Sequence, residues 1–145
     1  MQGNVSSTWS KLTATIKATG TDKKGQLALL TSHDSHLYID VVSLFPYTWK
    51  GRKNGMRPDL AQLLADTKPT FLRFPGGCYV EGEGSYEQTF QWKKTIGPIE
   101  ERPGHMNQNW RYWSSDGLGY DEYLQLSEDL GAAPMFVVNI GLGHG

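Results

Sequence analysis

Hydrophobic and polar positions divide the chain into two differently patterned stretches. Leu12, Ala14, Ile16 and Ala18 alternate with Lys11, Thr13, Thr15 and Lys17. A period of two places successive side chains on opposite faces, the pattern of a half-buried strand. The polar, glycine-bounded stretch 19–25 (TGTDKKG) predicts a turn. A short apolar run over 26–31 predicts a second strand. Residues 36–45 (HLYIDVVSLF) predict a third, with Leu37, Ile39 and Val41 on one face, and Pro46 ends it. Three antiparallel strands suit the edge of a β-sandwich better than a complete domain, so residues 1–46 are expected to be the end of one.

The stretch 47–55 (YTWKGRKNG) is rich in charge and turn formers and reads as a linker. The period then lengthens. Pro58 suits the first turn of a helix, where its missing N–H costs nothing. Leu60, Leu63 and Leu64 follow at helical spacing, so a helix is expected over 58–66. Lys68 and Pro69 stop it, and 70–74 is β-rich. A second helix is expected over 118–130, with Tyr120, Tyr123, Leu124 and Leu130 as its apolar stripe and Gly131 as its terminating glycine. The run MFVVNI over 135–140 predicts a strand of the kind that a parallel sheet buries on both faces.

Strand, helix and strand in that order make one parallel α/β unit with a helix ahead of it. A closed (β/α)₈ barrel needs roughly 250 residues. Residues 47–145 are therefore expected to be the amino-terminal part of a TIM barrel, incomplete within this chain, and the fold class is α/β. With barrel neighbours missing, strands 71–74 and 135–140 should show exposed apolar surface.

The connection 75–117 stands out, because strand-to-helix loops usually take about 2–6 residues. No clear element is predicted inside it. Its aromatic content, including Tyr79, Tyr86, Phe90, Trp92, Trp110, Tyr112 and Trp113, argues against disorder. Loops that follow barrel strands build active sites. Pro75, Gly76 and Gly77 allow a sharp turn and close approach of backbone to a ligand, and no phosphate-binding glycine pattern surrounds them. Arg73, at the strand end, can grip a carboxylate with two N–H groups or form a structural ion pair. Cys78 can line a pocket or fill a small apolar space. The run Glu100, Glu101, Arg102 reads as a loop-stabilising network, with Glu101 as structural support of the site. No spacing among the loop carboxylates picks out a catalytic pair.

Composition narrows the partners. The 145 residues carry 14 basic and 15 acidic side chains, for a formal net charge of -1. Such a balance gives no electrostatic reason to expect nucleic acid or an anionic membrane. Apolar runs are too short to span a bilayer, and no secretory signal is visible at Met1. With one cysteine, no disulfide can form within the chain and no zinc cluster of cysteines exists. His33, His36, His105 and His144 lack metal-site spacing and read as surface or loop histidines. Neither metal nor cofactor is expected.

Four blocks, MRPDLAQLLADTKP (56–69), FLRFPGGCYVEG (71–82), WKKTIGPIEERPGH (92–105) and DGLGYDEYLQLSEDLGAAP (116–134), resemble the α-L-arabinofuranosidases of glycoside hydrolase family 51. The resemblance covers 44–145. It implies a retaining hydrolase that releases terminal α-L-arabinofuranosyl residues from hemicellulose or pectin side chains, with an arabinose-containing polysaccharide or oligosaccharide as partner. In that family the acid/base Glu follows an Asn on a later strand and the nucleophile comes later still. Asn139 is followed by Ile140, so neither motif is met, no catalytic residue is assigned, and the fragment alone is expected to be inactive. Carried over by position, Gly77, Cys78 and Asn139 line the arabinose pocket, with Gly141 beside Asn139. Residues 1–46 would then belong to a carbohydrate-binding-like sandwich. A secreted or periplasmic location and a homo-oligomer remain open for the full-length enzyme. The alternative is a non-catalytic carbohydrate-binding module, which the strand–helix–strand order disfavours because such modules are typically all-β.

Overall fold

The computed structural model describes residues 6–31, 36–141 and 143, so His33 and His144 lie outside the described residues. The chain forms two compact units, Met1–Tyr38 and Ile39–Gly145. In the first, the described residues form neither helix nor strand, and all are exposed. The turn at Asp22 is present, closed by the Gly25 N–H to the Asp22 carbonyl at 3.4 Å and the Lys24 N–H to Asp22 Oδ1 at 2.8 Å. The three strands expected before Pro46 are absent among the described residues. Alternation specifies which side chains a sheet would cover. A strand holds only when paired and covered, and Leu12, Ile16, Leu27 and Leu29 stand more than half exposed.

The second unit carries the secondary structure. Helix α1 spans Pro58–Asp66, with Pro58 in its first turn. Ala61 is its buried residue, while Leu60 and Leu63 are exposed, so the covered face is rotated from the expected leucine stripe. Strand β1, Phe71–Phe74, leads through the glycine turn into the short helix α2, Cys78–Glu81. Strands β2, His105–Asn107, and β3, Tyr112–Ser114, form an antiparallel hairpin. Helix α3, Tyr120–Leu130, precedes β4, Ala133–Phe136. Strands β1 and β4 pair in parallel with Phe71 opposite Ala133 and Phe74 opposite Phe136.

The connection 75–117 is thus more structured than its sequence suggests. Besides α2 and the hairpin it holds 3-10 turns at Tyr86–Gln88, Trp92–Thr95 and Ile99–Glu101. Phe90, 2 % exposed, anchors it. Its ring lies 5.7 Å from Phe74, 5.3 Å from Tyr79 and 6.5 Å from Phe136. Tyr123 of α3 stacks on Phe74 from the helix side.

Gly131, left-handed at φ 67°, ends α3 as expected, and the Ala132 N–H reaches back to the Ser127 carbonyl at 2.9 Å. This sharp exit starts β4 at Ala133, earlier than the apolar run predicts. The ladder continues only to the Val137 N–H on the Phe74 carbonyl, at 3.0 Å. Neither strand is buried on both faces. Phe71, Met135, Val138 and Ile140 are exposed, and no third strand pairs with β1 or β4 among the described residues.

Candidate functional site

Parallel pairing puts the carboxyl ends of β1 and β4 at the same edge of the sheet. From β1 the chain enters Pro75-Gly76-Gly77. A Cβ on Gly76 would fall 2.6 Å from Arg73 Cζ, so only glycine lets that guanidinium lie across the turn. Gly77 takes φ 56°, ψ -146°, a conformation that is essentially glycine's own. Cys78 then opens α2 as a half-buried free thiol. From β4 the chain runs to Asn139, whose Nδ2 donates to the Val80 carbonyl at 2.9 Å. The structure therefore brings Asn139 to the helix that Gly77 and Cys78 begin.

Beside this edge lies an open cavity of about 690 Å³. Arg73, Phe74, Gly76, Tyr79, Trp110, Tyr112, Trp113, Ser114, Asp116 and Tyr123 line it, whereas Gly77, Cys78 and Asn139 lie next to it and not in its lining. Arg73 makes no ion pair among the described residues. Glu101 is exposed in the Ile99–Glu101 turn. The adjacent Arg102 is buried, with a side chain 2 % exposed that pairs with Glu122 at 2.7 Å. Burial works to raise the Glu122 pKa. Hydrogen bonds from Arg102, the Gly119 N–H and Asn54 outweigh it, and the net shift is downward.

A second polar group escaped the sequence. His105 Nδ1 lies 2.9 Å from Asp116 Oδ1, with side chains 11 % and 4 % exposed. Ser114 Oγ donates to Asp116 Oδ1 at 3.4 Å and lies 3.1 Å from the Tyr79 hydroxyl. Burial raises the Tyr79 pKa against the opposing Ser114 hydrogen bond. His105 and Asp116 meet because Ser114 pairs with His105 across the hairpin, and no local motif marks a hairpin of three-residue strands.

Exposed aromatic faces beside hydroxyl, carboxylate and guanidinium groups suit a ligand with both apolar faces and hydroxyls. Among the described residues Asp116 is the only carboxylate lining the cavity, and it is already engaged. Glycoside hydrolysis by the usual route takes two carboxylates. Among the described residues no cluster of three or more His, Cys, Asp or Glu could hold a metal ion. No described helix is long and apolar enough to cross a membrane.

The family model described as alpha-L-arabinofuranosidase 1 domain matches residues 63–145. The chain is 49% identical over 139 residues to alpha-L-arabinofuranosidase 1 of Arabidopsis thaliana, covering 95% of this chain and 20% of that protein. It is 45% identical over 142 residues to the extracellular exo-alpha-L-arabinofuranosidase of Streptomyces chartreusis, covering 90% of this chain and 17% of that one. Among solved structures, an arabinose-bound MgGH51 α-L-arabinofuranosidase superposes with a TM-score of 0.64 at 44% identity, over 68% of this chain and 16% of that chain. An arabinose complex of the Thermotoga maritima enzyme gives 0.54 at 28% identity, over 68% and 18%. The chain belongs to the α-L-arabinofuranosidases of glycoside hydrolase family 51. It spans about a fifth of the length of the curated relatives it matches.

Proposed function

We propose that this chain supplies one wall of the arabinose pocket in a longer, retaining α-L-arabinofuranosidase. That enzyme would release terminal α-L-arabinofuranosyl residues from hemicellulose or pectin side chains. Residues 47–145 would be the amino-terminal part of its (β/α)₈ barrel, and 1–46 the end of a carbohydrate-binding-like sandwich. One observation carries the reading: the Gly77-Cys78 turn and Asn139 share one edge of a parallel strand pair and are tied by the Asn139–Val80 hydrogen bond. In barrels the strand ends at that edge build the site. Gly77, Cys78 and Asn139 would face the furanose, with Arg73 at the rim.

Two carboxylates about 5 Å apart perform retaining hydrolysis, one protonating the leaving oxygen and one attacking the anomeric carbon. Among the described residues the cavity lining carries one carboxylate, Asp116, which is held by His105 and Ser114, so the catalytic pair would be supplied by other parts of the longer enzyme. The test uses an aryl α-L-arabinofuranoside with the longer enzyme and with the 145-residue chain. Turnover by the longer enzyme, weakened through KM by Asn139→Ala, is expected, with none from the chain above a heat-killed control. Turnover by the chain alone, or none by the longer enzyme, overturns the proposal. The exposed Trp110, Tyr112 and Trp113 favour a second reading, sugar binding without cleavage. It predicts arabinan or arabinoxylan retention by the longer protein with no arabinose released.

A further inference from the structure

Arg102 holds three parts of the chain at once. Its Nη1 donates to Glu122 Oε2 at 3.0 Å and its Nη2 to Glu122 Oε1 at 2.7 Å. Nη1 also reaches the carbonyls of Asp116 at 2.9 Å and Gly117 at 3.2 Å. Nε and Nη2 both donate to the Gly97 carbonyl, at 3.2 and 2.9 Å. Glu122 is as fully committed: it accepts the Gly119 N–H at 2.9 Å and Asn54 Nδ2 at 3.3 Å. Only a planar guanidinium offers donors in directions that serve a carboxylate and three carbonyls together.

The arrangement bears on one residue of unusual backbone conformation. Asp116 has φ 54°, in the left-handed region that few side-chain-bearing residues enter, aspartate being among those that tolerate it. Arg102 grips the carbonyl of that same residue. In this conformation the Asp116 carboxylate meets His105 Nδ1 and Ser114 Oγ, and Ser114 meets Tyr79. Tyr79, Ser114 and Asp116 line the cavity, whereas neither Arg102 nor Glu122 does.

We propose that Arg102 and Glu122 are positioning residues that hold the 115–119 turn in its left-handed form. Through Asp116 they set the His105–Asp116–Ser114–Tyr79 chain along the cavity wall. This deepens, and rests on, the reading of the cavity edge as an arabinofuranoside site. The pair touches no sugar and contributes through the geometry of the wall.

The test compares the longer enzyme with its Arg102→Lys and Glu122→Gln variants. A lysine keeps the charge opposite Glu122 but has one nitrogen to serve every acceptor. Losing hydrogen bonds from a charged donor should speed amide exchange in 115–119 by about tenfold or more. For an aryl arabinofuranoside, KM should rise by about tenfold while kcat stays within about threefold, because the catalytic pair is not displaced. Glu122→Gln, which preserves shape, should move both quantities the same way by less. Unchanged exchange in 115–119 overturns the proposal. So does faster exchange with KM unaltered, which is the mark of a merely structural pair. A wild-type longer enzyme that cleaves no arabinofuranoside overturns the functional reading separately. The exchange data then decide the lock alone, faster exchange upholding it and unchanged exchange refuting it.

Discussion

Phe90 is the side chain on which the connection between β1 and α3 depends most. It is 2 % exposed, and among the described residues its ring has four aromatic neighbours: Tyr79 at 5.3 Å, Phe74 at 5.7 Å, His105 at 6.4 Å and Phe136 at 6.5 Å. Those neighbours come from α2, β1, β2 and β4, so one ring joins the sheet to the cavity-forming loop. Replacing it with alanine removes a buried ring and leaves a cavity, which costs about 3–5 kcal/mol. Part of that cost, about 0.5–1.5 kcal/mol, is the edge-on contact with Phe74. Phe90→Leu keeps most of the volume and should cost about 1–2 kcal/mol. The difference, roughly 2–3 kcal/mol, corresponds to about 30- to 150-fold in the equilibrium for opening the loop. Amide exchange over 78–117 in the longer enzyme, under conditions where exchange reports the opening equilibrium, measures it directly. Phe90→Ala should accelerate exchange across α2, the hairpin and the intervening turns together. If Ala and Leu variants exchange alike, or if acceleration is confined to 88–92, Phe90 does not hold the loop to the sheet.

Two further outcomes follow from the same geometry. Gly104 has φ +66°, and a Cβ there would fall 2.6 Å from the Ser114 carbonyl oxygen, so Gly104→Ala should cost about 2 kcal/mol or more. Gly20→Ala, with nothing within 4 Å of the new Cβ, should be neutral in the same thermal melt, and equal losses would refute the steric argument. Because the Glu122 pKa is depressed in the folded state, its stabilisation is complete above its unfolded pKa and is lost as pH falls through the folded value. Exchange in 115–119, normalised to the intrinsic amide rate at each pH, should therefore be flat from neutral pH to the ordinary carboxylate range and rise below it. Glu122→Gln should remove that acid dependence, and a rise that survives the substitution would assign it to another group.

Features set by neighbours in sequence were legible, and features set by distant partners were not. Pro58 and the helical spacing after it mark α1 from Pro58 to Asp66, and Gly131 marks the end of α3, because helix initiation and termination are local. The start of β4 differs from the apolar run in the sequence, because pairing with β1 puts Ala133 opposite Phe71. The alternation before Pro46 is a similar case. It states what a strand there would bury, and the burying surface has to come from elsewhere.

The site shows the same division more sharply. Gly77 carries its meaning in sequence, since its positive φ favours glycine, and Gly76 leaves room for the Arg73 guanidinium. In the run Glu100-Glu101-Arg102, however, nothing local says which side chain turns inward. The choice is made by Glu122, twenty residues away and on another element. That glutamate is drawn in by a helix start that needs an acceptor for the Gly119 N–H. Arg102 follows as the cation able to neutralise it there while serving the carbonyls of Gly97, Asp116 and Gly117. A capping requirement on α3 thus decides which member of a charged loop is buried, and through Asp116 it reaches the wall of the cavity.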